Sequence, residues 1–382
     1  MVSTEPLTTD AAPVATAAVG TTFGVEEEFH LVDSDTLALA GSHELAAAAM
    51  RGQAGERVHA EIATSQLETA TAVCTSLSQL RAELLRARTE AAAAAGRAGL
   101  VPLAASTHPF GSWRQQEMTR CRRYDALVER YAVLPHQQDI CGCHVHVAVP
   151  DLETAVVVMD RARPYLCVLA ALTGSSPFHE GLDTGYDSYR TVRWGHWPIT
   201  GPPERLGDAA TFRTVVAGLT AAGTIADASN LYWDVRPSAH HPTVEFRIAD
   251  VCTDVDDAVL HAALVRSLVR VLAARAASGE PCPEPRPELL RAARWRAARH
   301  GLGERLFDPV TGALVDARSA VHRLLRELED DLRGHGEWEE TGELVARLFR
   351  RGTSAARQRR TFARTGDLGA VAAELICGQP PR

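Results

Sequence analysis

The stretch TFGVEEEFHLVD, residues 22–33, alternates between apolar and charged side chains. The phenylalanines and Val25 share one side of the alternation, and Glu26 and Glu28 share the other. A period of two residues is typical of a β-strand that packs one face on a core. We therefore predict a strand with an acidic outer face, and the same alternation places Glu27 on the apolar side.

Other stretches of the chain repeat this division between an apolar face and a charged face. CHVHVAV, residues 143–149, sets His144 and His146 opposite a row of valines. YWDVRPS (232–238) and TVEFRIADV (243–251) alternate in the same way across a short turn, which predicts a hairpin. Together with the run 58–72, the charged faces carry Glu26, Glu28, Glu61, Glu68, His144, His146, Asp234, Arg236, Glu245 and Arg247.

These charged faces predict a divalent metal site if the strands join one sheet. Carboxylates brought that close could not all stay ionised unless a cation compensated their charge. Carboxylates outnumber histidines and no cysteine cluster joins them, so Mg²⁺ or Mn²⁺ is favoured over Zn²⁺. Each piece taken alone also has an ordinary interpretation as a solvated strand face or a cross-strand ion pair. The agreement of several separate segments favours the metal.

The basic residues of the chain are all arginine. The sequence has 40 arginines and no lysine against 48 acidic residues, which gives a net charge of −8. The lack of lysine argues against phosphate-loop NTPases, protein kinases and pyridoxal enzymes. Arg190, Arg193, Arg236 and Arg247 are fork-shaped donors that suit phosphate or carboxylate groups. Metal beside arginine predicts a phosphoryl-transfer site.

The rest of the chain predicts one domain with a helical C-terminal part. Residues 1–20 lack periodicity and are predicted to be a disordered tail, so a single domain is expected over 21–382. A long loop is predicted from residue 174 to residue 203. Helices are predicted over 76–98, over 152–172 with a break at Pro164, over the leucine repeat 260–272, and through most of the region from about 283 to 382.

Composition also bears on location and partners. No stretch is apolar enough to span a membrane, and the N-terminal residues lack the basic cap of an export signal. The eight cysteines show no C-x-x-C spacing, so we predict reduced thiols in a cytoplasmic protein. The negative net charge argues against a nucleic-acid partner.

Four motifs in a fixed order resemble a known enzyme family. They are GVEEEF (24–29), GCHVHV (142–147), GYDSYR (185–190), and WDVRPS followed by VEFRIAD (233–250). The set is similar to the bacterial carboxylate-amine ligases of the YbdK type, which belong to the glutamate-cysteine ligase superfamily. The likeness extends over about residues 21–375.

The resemblance implies an α+β fold like that of glutamine synthetase and the guanidino kinases. In that fold a curved, mainly antiparallel sheet forms a funnel backed by helices. The implied activity is an ATP- and Mg²⁺-dependent ligation through an acyl phosphate. The family phosphorylates a carboxylate, usually the γ-carboxylate of glutamate, and an amine such as that of cysteine then displaces the phosphate. A homodimer is common among similar proteins.

The resemblance also assigns roles to individual residues. Metal ligands are expected at Glu26, Glu28, Glu68, His144 and Glu245, with Glu61 and the strand neighbour His146 as further candidates. Catalytic roles are expected for Glu245, Arg247 and Arg190, and nucleotide or substrate contacts for Arg236, Arg247 and Tyr186. The chain departs from the family pattern at Ser106, where a glycine is common, and at His196, where an arginine is expected. The second departure leaves the selectivity for amine and carboxylate open.

Two other functions remain as alternatives at the level of sequence. The H-x-H pair on a strand is also found in metal-dependent amidohydrolases, although those favour a nitrogen-rich zinc site. A relative that binds nucleotide without ligating would carry the same motifs. For a ligase, the loop 174–203 is the expected cover that keeps water from the acyl phosphate.

Overall fold

The computed structural model describes residues 18–377. Its strands are β1 Phe23–Asp33, β2 Val58–Ala60, β3 Gln66–Ala70, β4 Leu100–Leu103, β5 Gly142–Ala148, β6 Phe178–His179, β7 Leu182–Asp183, β8 Thr200–Gly201, β9 Tyr232–Trp233, β10 Val235–Pro237, β11 Thr243–Asp250, β12 Leu306–Asp308 and β13 Ala313–Val315. Its α-helices are α1 His43–Met50, α2 Leu77–Gly96, α3 Arg122–Tyr131, α4 Leu152–Ala162, α5 Leu166–Thr173, α6 Tyr189–Trp194, α7 Ala209–Ala221, α8 Val255–Ala277, α9 Pro287–His300, α10 Ala317–Gly334, α11 Trp338–Arg351, α12 Ser354–Thr365 and α13 Leu368–Ala373.

One sheet organises the molecule. Its strand order is β10-β11-β5-β1-β3-β2, and β4 pairs with the far end of β1. Every pairing in this sheet is antiparallel. The predicted α+β fold with a mainly antiparallel sheet is confirmed, and so is the hairpin formed by β10 and β11. The sheet is open rather than closed into a barrel.

The apolar face of the sheet packs on the helical layer. Val145 and Val147 of β5 are fully buried in the main core, as the alternation predicted. Helix α8 packs against β5, α2, α4 and α10. Its leucine repeat is buried because four-residue spacing keeps these side chains on one side of the helix. The charged face of the sheet is therefore left to form a site.

Glu27 is the charged residue that the alternation placed on the apolar face, and it is fully buried there. Arg88 of α2 neutralises it through a two-pronged contact, with Nε–Oε2 at 2.9 Å and Nη2–Oε1 at 2.6 Å. Arg88 also donates to the carbonyl oxygens of Cys252 and Thr253. This pair ties β1, α2 and the chain after β11 together, and the partner of Glu27 could not be read from the sequence.

His261 of α8 is buried, and neither ring nitrogen has a hydrogen-bond partner within residues 18–377. Burial lowers the pKa of this imidazole to about 4. The unfolded chain therefore binds more protons than the folded chain between the ordinary histidine pKa of about 6.5 and pH 4. Stability contributed by neutral His261 is full above that window and is lost as the pH falls through it.

We expect His261→Leu to flatten the loss of stability on acidification. Between about pH 6 and pH 4, the wild type should lose up to about 1.4 kcal/mol per pH unit more than the variant. Denaturant unfolding at a series of pH values measures this difference. The exposed His136 provides the matched control, and His136→Leu should keep the wild-type pH slope. Equal slopes for His261→Leu and the wild type would contradict the prediction.

Most of the predicted tail, residues 1–17, lies outside the described residues. Residues 18–20, which the prediction also assigned to the tail, belong to the fold. The Gly20 amide donates to the carbonyl of Ala148 at 2.8 Å, and Arg266 donates to the carbonyl of Gly20. Residues 287–373 are mostly helical, as predicted for the C-terminal part, except for the unpredicted hairpin of β12 and β13; residues 378–382 lie outside the described residues. The division into a tail and a single domain stays a prediction.

The segment 174–203 is not a free loop. It contains β6, β7, α6 and β8. Asp250 at the end of β11 anchors its first half by accepting hydrogen bonds from the Ser175 amide, the Ser176 hydroxyl and the Ser188 hydroxyl, at 2.7–2.9 Å. The first half is therefore part of the packed structure rather than a detached cover. In the described part of the chain, none of the helices has both the length and the apolar character needed to cross a bilayer.

Candidate active site

The register of the central strands brings distant acidic residues side by side. Residues directly opposite on antiparallel strands have their Cβ atoms about 4.5–5.5 Å apart. The register pairs Glu28 with Glu68, Glu26 with His144, and Glu245 with His146. These pairs lie on adjacent strands of the charged face. Side chains from four strands therefore converge on one surface.

The converging side chains form two groups of candidate metal ligands. In the first group, Glu26, His146 and Glu245 each offer a ligand atom within 4.8 Å of the others. In the second group, Glu28, Glu61 and Glu68 do the same. His144 stands between the groups, with Nδ1 3.5 Å from Glu26 and Nε2 3.8 Å from Glu28. The structure thus brings together all seven residues that the sequence predicted as metal ligands.

The three carboxylates of the second group disfavour one another's ionised forms. Burial, together with the nearby Glu28, raises the pKa of Glu61 to about 7. Burial, together with Glu26 and Glu61, holds the pKa of Glu68 well above its ordinary value. A divalent cation among the three carboxylates would reverse both shifts by compensating the charge.

The first group is balanced by histidines and arginines. Burial by itself would raise the pKa of Glu26, but His144 and His146 outweigh it and hold that pKa well below its usual range. Burial would likewise raise the pKa of Glu245, but Arg247 and Arg236 lower it. In this group the carboxylates are therefore ionised and ready to bind.

The donor set fits a hard divalent cation. The contacts of the histidines with the carboxylates, at 3.4–3.8 Å, are longer than ordinary hydrogen bonds. Both nitrogens of His144 and Nε2 of His146 are buried without a hydrogen-bond partner within the described ranges. Such orphaned nitrogens beside carboxylate oxygens are available as ligands. Because oxygen donors dominate, the set suits Mg²⁺ or Mn²⁺ better than Zn²⁺.

Arg236 holds Glu245 and has few donors left for a ligand. Its guanidinium makes a two-pronged contact with Glu245, with Nε–Oε2 at 2.8 Å and Nη2–Oε1 at 3.2 Å. Its remaining nitrogen donates to the carbonyls of Ser229 and Leu231, each at 2.7 Å. The ordinary interpretation, a cross-strand ion pair, therefore holds for Arg236. Its predicted contact with the nucleotide stays a prediction that this geometry does not favour.

Arg247 and Arg190 lie at the edge of the two groups. Arg247 is paired with Glu245 through Nη1. Arg190, from α6, is 3% exposed and donates to the backbone carbonyl of Arg247 at 3.1 Å. Unlike Arg247, Arg190 forms no ion pair with a described carboxylate. Both arginines are therefore where the sequence predicted them, beside the acidic groups.

Two of the charged residues singled out in the sequence form ion pairs outside the ligand groups. Asp234, in the break between β9 and β10, accepts two hydrogen bonds from Arg294 of α9, at 2.7 and 3.1 Å. Asp234 belongs to neither ligand group, so the structure does not bring it together with the predicted metal ligands. Arg193 is paired with Asp139 at 2.9 Å.

Tyr186, predicted as a nucleotide contact, packs on α9. Its hydroxyl accepts a hydrogen bond from the Trp295 indole at 3.1 Å, and the Arg299 guanidinium lies 5.5 Å from its ring centre. Neither partner belongs to the acidic groups. The structure therefore does not bring Tyr186 together with the predicted ligands, and its nucleotide role stays a prediction.

The two departures from the family pattern have different surroundings. Ser106 is fully buried, and its hydroxyl accepts a hydrogen bond from the Val251 amide at 2.7 Å, just beyond β11. It therefore supports the end of the strand that carries Glu245. His196 is exposed after the end of α6.

Two residues of the site were missed by the sequence reasoning. Gly142 opens β5, and its amide donates to Glu28 at 2.6 Å. Its place at the start of the GCHVHV motif was a signal that could have found it. Trp194 lies 5.9 Å from the guanidinium carbon of Arg190 and 5.7 Å from that of Arg247, measured to its ring centre. No sequence pattern predicts that Trp194 lies beside these two arginines, because the contact depends on how α6 packs.

The sequence profile of glutamate-cysteine ligase family 2 matches residues 22–374. The chain belongs to glutamate-cysteine ligase family 2. Among its curated relatives, a putative glutamate-cysteine ligase 2-2 of Frankia alni is 43% identical over 92% of this chain and 94% of the relative. A putative glutamate-cysteine ligase 2 of Streptomyces coelicolor is 41% identical over 93% and 98%. This member of glutamate-cysteine ligase family 2 is thus a carboxylate-amine ligase, as its motifs implied.

Solved structures share the fold of this family 2 ligase. The glutamate-cysteine ligase of Francisella tularensis, in complex with AMP, aligns with a TM-score of 0.68 at 13% identity, over 93% of this chain and 88% of that one. A bifunctional glutathione synthetase of Pasteurella multocida aligns with a TM-score of 0.64 at 16% identity, over 93% and 51%. At such low identity the likeness is one of fold alone.

Proposed function

We propose that this ligase uses ATP and Mg²⁺, or Mn²⁺, to form a γ-glutamyl amide through an acyl phosphate. The observation that carries the proposal is the pair of ligand groups joined by His144 on one sheet face. Divalent cations held there would neutralise charge on the phosphate oxygens of ATP. Glutamate is the proposed carboxylate because the curated relatives are named glutamate-cysteine ligases, and cysteine is the reference amine.

The proposed reaction has two balanced steps. A glutamate carboxylate oxygen forms a bond to the γ-phosphorus of ATP as the bond from that phosphorus to ADP breaks. The amine nitrogen then forms a bond to the acyl carbon, inorganic phosphate leaves with the bridging oxygen, and the amine loses a proton. Arg247 and Arg190 would stabilise the oxygens that carry the negative charge in these steps.

Two arginines beside the first group would hold Glu245 in place during both steps. Arg236 fixes Glu245 in place, so its role in this proposal is to hold a metal ligand rather than to bind nucleotide. Arg247 approaches the same carboxylate with one nitrogen, which leaves its other donors for substrate oxygens. Neither alternative function is favoured by a described contact, because the ligand groups are dominated by carboxylate oxygens.

Phosphate release tests the proposal directly. The purified protein should release phosphate from ATP only when Mg²⁺, glutamate and a suitable amine are all present. The mass of the product should equal that of glutamate plus amine less one water. A panel of amines that starts with cysteine identifies the acceptor, and chelation of the metal should abolish turnover. ATP-independent amide hydrolysis would support the amidohydrolase instead, and nucleotide binding without phosphate release would support a non-ligating relative.

A further inference from the structure

The guanidinium of Arg190 is buried and has no carboxylate at hydrogen-bond distance in the described part of the chain. Its three neighbours at hydrogen-bond distance are neutral: the Ser176 hydroxyl, which accepts from its backbone amide, and the carbonyls of Arg247 and Ile248, which accept from its guanidinium. Its Nε is buried with no partner among the described residues. A buried guanidinium without a carboxylate is costly unless a ligand completes its surroundings.

Two features of the backbone aim this guanidinium at the site. The pairing of β11 with β5 shifts register between Phe246 and Ala249, and the carbonyls that hold Arg190 come from this irregular stretch. Gly142 has no side chain, and this leaves room for the guanidinium of Arg190. A Cβ at position 142 would lie 2.5 Å from Nη2 of Arg190 and 2.9 Å from Nε2 of His144, both closer than real contacts allow.

An indole supports the same guanidinium from another direction. Trp194 closes α6, is 6% exposed, and is itself fixed by a hydrogen bond from Nε1 to the carbonyl of Tyr232 at 3.1 Å. The guanidinium carbons of Arg190 and Arg247 each lie within 6 Å of its ring centre. A cation held over an aromatic ring keeps its charge while losing little mobility on binding.

The two arginines differ in what they already bind. Arg247 is paired with the carboxylate of Glu245, whereas the guanidinium of Arg190 donates only to backbone carbonyls of the described residues. Of Arg190, Arg236 and Arg247, Arg190 is therefore the one whose charge is not compensated by a directly bonded carboxylate among the described residues. An anionic group of the substrate would supply that compensation.

We propose that Arg190 binds the reacting oxyanion, and that Gly142 and Trp194 are positioning residues that aim its guanidinium. The oxyanion is either the carboxylate that attacks ATP or the phosphoryl group that this carboxylate receives. Both present paired oxygens that a guanidinium fork can bind. This inference deepens the proposed function and rests on it.

The test compares Gly142→Ala, Trp194→Leu and Trp194→Phe with the wild type in the glutamate-dependent phosphate assay. If Arg190 binds the transferred phosphoryl group, kcat should fall about tenfold to a hundredfold in Gly142→Ala and Trp194→Leu. The KM values for ATP and for glutamate should stay nearly unchanged. If it binds the carboxylate, the KM for glutamate should rise by a similar factor with kcat nearly unchanged. Trp194→Phe keeps an aromatic face, so it should recover most of the loss seen in Trp194→Leu.

Two matched variants control for general damage. Gly218 lies in α7 with open space beside it, so Gly218→Ala adds the same methyl group without a clash. Trp197 belongs to the same aromatic cluster, and its indole donates to Gln138. Trp197→Phe should lower the stability of the protein while keeping the wild-type kcat and glutamate KM.

Specific results would overturn the inference while leaving the ligase proposal intact. One such result is that Gly142→Ala and Trp194→Leu fold and keep the kcat and the glutamate KM of their controls. Arg190 would then not depend on Gly142 and Trp194 for its position. A change confined to the KM for ATP would also overturn it, because Arg190 would then bind the resting nucleotide. Absence of turnover in the wild type would instead contradict the proposed function itself.

Discussion

Glu68→Gln should reduce ligase turnover by about a hundredfold or more while leaving the metal-free fold as stable as the wild type. Burial and the neighbouring carboxylates raise the pKa of Glu68, which disfavours its ionised form in the metal-free protein. Glutamine has the same shape and no charge. The substitution therefore removes a metal ligand without creating an unpaired charge or a cavity.

Two measurements separate the effect on metal from an effect on the fold. Thermal unfolding without metal should give the wild-type midpoint. Mg²⁺ should stabilise the variant less than the wild type, because the variant keeps only the first ligand group and a ligand stabilises only the state that binds it. The exposed Glu56 is the control, and Glu56→Gln should keep turnover and the response to Mg²⁺. Turnover by Glu68→Gln at the wild-type rate would exclude the second ligand group from catalysis.

Arg88→Met should destabilise the protein by about 3–5 kcal/mol, the largest effect on stability that we expect from a single substitution here. The substitution removes the partner of Glu27, which is fully buried in the core. It also leaves the carbonyls of Cys252 and Thr253 without their donor. Denaturant unfolding at neutral pH measures the change.

A double substitution and a control sharpen this measurement. Glu27→Leu combined with Arg88→Met removes both charges, so it should recover part of the loss; recovery stays incomplete because the two carbonyls are still unpaired. Arg86 lies on the same helix with its side chain 60% exposed, and Arg86→Met should change stability by less than about 0.5 kcal/mol. A loss below about 1 kcal/mol in Arg88→Met would mean that water or another group solvates Glu27.

The candidate ligands could be placed on one sheet face from the sequence, because the alternation of side chains along each strand shows which residues share a face. Val145 and His144 differ by one position, and that step decides which side chain meets the core. Asp234 shows the limit of this reasoning. The alternation assumed a continuous strand, but the strand breaks at this residue and the carboxylate turns to Arg294.

The long segment 174–203 shows a second limit. Its glycines, serines and prolines predicted a loop, and their side chains gave no hint of a buried anchor. The anchor is Asp250, which lies about 75 positions away in the chain from the serines it binds. Contacts over such distances depend on the assembled fold, so no local pattern can announce them.

By itself, the sequence determined the charged strand faces, because side-chain period and residue chemistry are local properties. Its resemblance to a known family implied the antiparallel fold class and the seven candidate ligands. Only the tertiary structure decided how those ligands divide into two groups, that Arg236 is committed to Glu245, and that Arg190 has no bonded carboxylate among residues 18–377. These outcomes depend on strand register and on the packing of α6. Both join residues that are distant in the chain, and their geometry sets which charges are compensated.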